Sequence, residues 1–193
     1  MWEYFDAWDE AQANDQALFG SDPYKDELDE ITDPQDAFRR TLSLAEQGSV
    51  LAMIGVGTGY LYGRLVEADT GLGEDWYRRA AERGSRYAQL RLGKALGARG
   101  DFDGCERVFA IGTDQDWAPA QFWLAWYRLR RSQSRATYRE VQPLLEKAAA
   151  QGSPAARWLL GKRMTRGAFG IRHIPRGIRM MLELGDELAP VCG

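Results

Sequence analysis

The sequence predicts an all-α solenoid, and three observations carry that prediction. A glycine that stops a helix and a serine that caps the next one recur at Gly48-Ser49, Gly84-Ser85 and Gly152-Ser153. Small residues follow at constant offsets, as Ala52, Ala88 and Ala156 and then Gly57, Gly93 and Gly161. The first spacing is 36 residues and the second 68, which leaves room for one intervening degenerate unit. A period in the thirties with two helices per unit is the pattern of stacked repeats, because no unit can bury its apolar face alone.

The elements follow in order. Residues 1–19 read as an amphipathic helix with Tyr4, Trp8 and Ala11 on one side, Leu18 close to that stripe, and Asp6, Asp9 and Glu10 mostly elsewhere. Gly20-Ser21-Asp22-Pro23 is a break, and residues 24–32 are a short helix or a loop. Asp33 and Pro34 suit the cap and first position of a helix that passes through Phe38, Leu42 and Ala45 to Gly48. From there residues 44–57, 80–93 and 148–161 align without gaps. The intervening unit is visible as WAPAQFWLAWY over residues 117–127, with Ala120, Leu124 and Ala125 in the matching slots. Its approach is irregular: Gly112-Thr113 replace the usual Ala-Ala, and Asp116 stands where the stop glycine belongs.

Trp76-Tyr77-Arg78-Arg79-Ala80-Ala81 with Gly84, followed by Ala88 and Leu92-Gly93, resembles the Sel-one-like repeat, a relative of the tetratricopeptide repeat. The resemblance covers about residues 37–187, with a partial last unit carrying Gly167, Gly170 and Ile171 in its inter-helix loop. It implies a right-handed solenoid of about four helix pairs and an adaptor role without catalysis. Some bacterial members of that family are immunity proteins that bind antibacterial toxins from type VI secretion. The expected division is an acidic, aromatic arm over residues 1–33 and a repeat body over 34–193.

Charge supports the same division. Residues 1–36 hold 12 acidic side chains and one lysine, a balance of −11, whereas residues 37–193 carry +8. The arm is therefore a solvated segment, folds over the basic body, or is offered to a basic partner. One mechanism is that its carboxylates occupy the positive active site of a toxin.

Several chemistries find little support. There is one histidine, His173, and two cysteines, Cys105 and Cys192, with no CxxC pair, so the usual zinc sites are excluded and no cofactor is expected. Two reduced thiols suit a cytoplasmic protein, as does an N-terminus without the basic start and apolar core of a secretory signal. No apolar run is long enough for a membrane span. Gly55, Gly57 and Gly59 imitate a phosphate loop, but they fall inside a repeat helix where Gly57 is a packing residue. The arginines at 128, 130, 131 and 135, and at 163, 166, 172, 176 and 179, raise a nucleic-acid reading that no binding motif supports.

The expected partner is another protein, with a cognate toxin as the concrete case and a general adaptor or scaffold as the alternative. A hydrolytic enzyme or a nucleic-acid binder is a more remote one. The first helix of each unit is expected to line the binding groove. Positions one before the repeating alanine and two, six and ten after it give the candidate contacts. They are Leu51, Ile54, Thr58 and Tyr62; Tyr87, Leu90 and Lys94; Phe122, Trp126 and Arg130; and Trp158, Lys162 and Arg166.

Overall fold

A computed structural model describes residues 1–29 and 34–188. Every regular element among them is helical, which establishes the all-α repeat class. Three helices form the N-terminal stretch: α1 (Trp2–Gln12), α2 (Gln16–Gly20) and α3 (Lys25–Asp29). A single helix, α4 (Pro34–Gln47), leads into the repeats. Four helix pairs follow: α5 (Val50–Tyr62) with α6 (Thr70–Glu82), α7 (Arg86–Ala98) with α8 (Phe102–Asp114), α9 (Ala118–Arg131) with α10 (Arg135–Ala150), and α11 (Pro154–Thr165) with α12 (Ile174–Leu188). Pro34 opens α4 as expected, while Asp33 and Cys192 lie outside the described residues.

The repeating Gly-Ser pair does what its chemistry predicts. Gly84 takes φ +93, its N–H donates to Ala81 at 2.9 Å, and the Ser85 N–H donates to Ala80 at 3.1 Å. These are the two reverse bonds of a Schellman end. Ser85 Oγ then accepts from the Ala88 N–H at 3.0 Å and caps the next helix. Gly48-Ser49 and Gly152-Ser153 repeat both features.

Asp116 completes the series. It has φ +54, and the Trp117 N–H donates to Gly112 at 2.9 Å, so the irregular unit keeps the register of the others. Aspartate tolerates the left-handed region better than bulky residues do, and its carboxylate accepts a hydrogen bond from Gln121 at 2.7 Å. Asp116→Val is expected to cost about 2 kcal/mol and Asp116→Gly less than about 1 kcal/mol, as read from thermal melts.

Close helix approach accounts for the glycines at 57, 73, 161 and 177. A Cβ on Gly73 would sit 3.0 Å from the Gly57 carbonyl oxygen, and one on Gly177 would sit 2.9 Å from that of Gly161. The glycines therefore set the contact of α5 with α6 and of α11 with α12. The repeating alanines fill the core as expected, with Ala88, Ala120 and Ala156 fully buried.

The chain forms two compact units. One comprises residues 13–95. The other comprises residues 1–12 together with the chain from Leu96 onward. In the first, the stretch before the repeats is bound to helix starts by its carboxylates. Asp22 accepts from Ser49 Oγ at 3.0 Å and from the Leu51 N–H at 3.1 Å. Asp15 accepts from Ser85 Oγ at 2.6 Å and from the N–H groups of Arg86 and Tyr87 at 3.0 and 3.2 Å. The first turn of a helix has orphan N–H donors and a positive dipole end, so a carboxylate belongs there.

In the second unit, α1 packs on α9 and α11. Its buried face differs from the predicted one. Phe5 and Asp9 are buried and Tyr4 and Trp8 only half-buried, while Ala11 is exposed. Asp9 can face inward because the Trp123 indole N–H donates to its carboxylate at 2.7 Å. The helix also ends at Gln12 rather than near residue 19, and α2 begins afresh at Gln16.

Candidate protein-binding surface

The candidate contact slots differ in burial by their place on the first helices. At two residues past the repeating alanine, Leu90 and Phe122 are fully buried, and Ile54 and Trp158 are half-buried. Leu90 and Phe122 are therefore core residues and do not reach a partner. The slots six residues past, Thr58, Lys94, Trp126 and Lys162, are all half-buried, as are Leu51 and Tyr87 one residue before it. At ten residues past, Tyr62, Arg130 and Arg166 are all exposed. A helix that leans into its neighbours at its start leaves its last turn to solvent.

Thr58 faces inward. Its hydroxyl donates to the Ile54 carbonyl at 2.8 Å, which leaves its lone pairs to accept from the buried Tyr77 hydroxyl at 2.8 Å. Thr58 thus fixes α6 against α5 rather than a ligand.

Tyr62 is the centre of the surface that α5 and α7 present. It is 51% exposed, enough to offer a ring face to a partner. Arg91 lies 5.6 Å from its ring centroid and hydrogen-bonds its hydroxyl, and Arg64 lies 5.8 Å from the ring. Arg91 is also 6.0 Å from the Tyr87 ring, so two tyrosines share one guanidinium. Burial works to lower the Arg91 pKa, but the phenol groups of Tyr62, Tyr77 and Tyr87 outweigh it and the net direction is upward. The alanine-offset rule missed Arg91, although it stands one turn past Tyr87 on the same helix face.

The other unit carries a second aromatic face, on α9 and α11, and this one is covered. Trp2 of α1 meets Trp126 at 5.2 Å and Trp158 at 5.6 Å, both edge to face, and Phe5 lies 6.2 Å from Trp158. Lys162 stands 4.3 Å over the Trp158 ring. Near the end of α1, the Trp117 indole N–H donates to the Gln12 carbonyl at 3.3 Å. Sequence periodicity gave no signal for the partners of α1, since they lie more than a hundred residues away.

The basic clusters are partly engaged in ion pairs between helices. Arg128 pairs with Glu106, Arg131 with Asp103, and Arg176 with Glu146 at 3.2 Å. Cys105 is buried, and His173 is half-buried in a single 3-10 turn over Ile171–His173. Among the described residues, no cluster of three or more His, Cys, Asp or Glu side chains is arranged to hold a metal ion, and no helix is long and apolar enough to cross a membrane.

A cavity of about 280 Å³ lies between α4 and α5. Among the described residues, its one charged lining side chain is Arg64, and the hydroxyls of Thr41 and Thr58 both donate to carbonyls one turn back.

An all-α repeat protein with aromatic and basic side chains on its first helices is the class that this fold and surface define. Two solved structures are similar to it. One is c5321, a protective antigen present in uropathogenic Escherichia coli strains and displaying an SLR fold, with TM-score 0.62 and 23% identity over 78% of this chain and 34% of that chain. The other is a Sel1 repeat protein from Oxalobacter formigenes, with TM-score 0.55 and 19% identity over 81% of this chain and 71% of that one. At these identities the likeness establishes the Sel-one-like solenoid fold. The chain spans about a third of the length of the first of these proteins. No protein-family model and no curated protein sequence matches it.

Proposed function

We propose that this chain is a non-catalytic protein-binding module and, more specifically, a bacterial immunity protein that neutralises a cognate toxin delivered by type VI secretion. The observation that carries the binding reading is the Tyr62, Tyr87 and Arg91 arrangement on α5 and α7. Tyrosine and arginine are the side chains most often found at interface hot spots, and here they are held in place by one another while a ring stays exposed. The resemblance noted from the repeat motif supports the immunity reading, and the reading places the chain in the cytoplasm, where it would meet the incoming toxin.

The contact is assigned to the α5 and α7 face and not to the acidic arm. Asp9, Asp15 and Asp22 already accept hydrogen bonds within the chain. A carboxylate engaged in this way would have to break those bonds before it could enter a toxin's active site.

The test is protection. Cells producing the product of the adjacent gene, which this reading expects to be the toxin, are grown with and without the chain. Growth is expected to be restored by the wild-type chain and lost again with Tyr62→Ala/Arg91→Ala. Absence of rescue by the wild-type chain leaves the adaptor reading in place of the immunity one.

A further inference from the structure

The second aromatic face is not empty, and what fills it describes what it can bind. We propose that the α9 and α11 face is a receptor for an acidic, aromatic helix of a partner protein, and that α1 is the chain's own occupant of that receptor, displaced when the partner's helix docks. This rests on the protein-binding reading above.

The contact is built from a few groups. Trp2 and Phe5 bring aromatic rings to Trp126 and Trp158, and Trp123 takes the Asp9 carboxylate. Trp2 remains 42% exposed, so its site is open at one side. The charges are complementary. The helix carries Glu3, Asp6, Asp9 and Glu10 and no basic side chain, whereas the face carries Lys162 and, on the exposed last turns of α9 and α11, Arg130 and Arg166. An eleven-residue helix is marginal by itself in water, so α1 owes its order to the face it covers. A segment held by two aromatic anchors and one carboxylate is of the kind that another helix with the same spacing can replace.

The probe is a fluorescent peptide with the sequence of residues 1–12, added to the full-length chain and followed by anisotropy. Trp2→Ala is expected to bind it at least tenfold more tightly than wild type, because the internal competitor is weakened. Adding Lys162→Glu is expected to remove most of that gain. Glu3→Lys, at an exposed position, is expected to give about a threefold gain and decides the question if Trp2→Ala fails to fold. Equal binding to wild type and to both loosened chains, with unchanged circular dichroism, overturns the proposal. A concentration-dependent dimer by light scattering gives the face to a second copy and overturns the assignment to a foreign partner. The assay contains no toxin, so its failure leaves the protein-binding reading standing, and a failed protection assay leaves this result standing.

Discussion

Asp15→Ala is expected to destabilise the unit formed by residues 13–95 by about 3 kcal/mol, a fall in its melting temperature of roughly 12–24 °C. The carboxylate is buried and takes three donors at the start of α7: the Ser85 hydroxyl and the N–H groups of Arg86 and Tyr87. Ser85 is itself buried, so its hydroxyl has no water to turn to when the carboxylate goes. The loss has two parts, the unpaired donors and the lost attraction of a negative charge for the helix N-terminus. Asp15→Asn keeps an acceptor oxygen without the charge and is expected to recover about half of the loss. The comparison of the two variants in thermal melts separates the parts. A loss below about 1 kcal/mol for Asp15→Ala would mean that the arm is not fastened at this point.

Gly177→Ala is expected to cost at least about 3 kcal/mol, although it adds one methyl group to a helix. That methyl would lie 2.6 Å from the Met164 Cβ, 2.9 Å from the Gly161 carbonyl oxygen and 2.9 Å from the Thr165 nitrogen. None of these is the end of a flexible side chain, so α11 and α12 would have to separate. Gly185→Ala is the control. It lies in the same helix, is exposed, and a Cβ there would meet nothing within 4 Å. Alanine exceeds glycine in helix propensity, so this variant is expected to gain about 0.5–1 kcal/mol. Opposite signs for one substitution at two glycines eight residues apart would identify packing as the cause. Denaturant midpoints at unchanged slope would measure it.

The repeat grammar was legible because it is local. A stop glycine, a capping serine and an alanine three residues later are read within one turn, and the hydrogen bonds at Gly84 and Ser85 follow that reading bond for bond. Asp116 was legible as a departure, and the structure shows a residue that adopts the glycine's conformation.

The arm was less legible for a physical reason. A helix face is inferred from apolar spacing, and Asp9 counts as polar in any such reading. It is buried because an indole N–H from Trp123, 114 residues away, satisfies it. The same holds for Asp15 and Asp22, whose partners lie 70 and 27 residues away. On the first helices, the spacing rule treated four offsets alike, whereas burial separates them. The offset two past the alanine points into the core at Leu90 and Phe122, and the last offset reaches solvent at Tyr62, Arg130 and Arg166.

The proposed role of the α5 and α7 face is to bind and block another protein. A titration in vitro of a toxin that the chain protects against, with the purified chain as titrant, tests this directly. Activity is expected to fall to background at one chain per toxin, and Tyr62→Ala/Arg91→Ala, folded by circular dichroism, is expected to need at least tenfold more protein. Toxin activity that persists at tenfold excess of the wild-type chain would contradict it, and so would a titration in which the double variant is as effective as wild type.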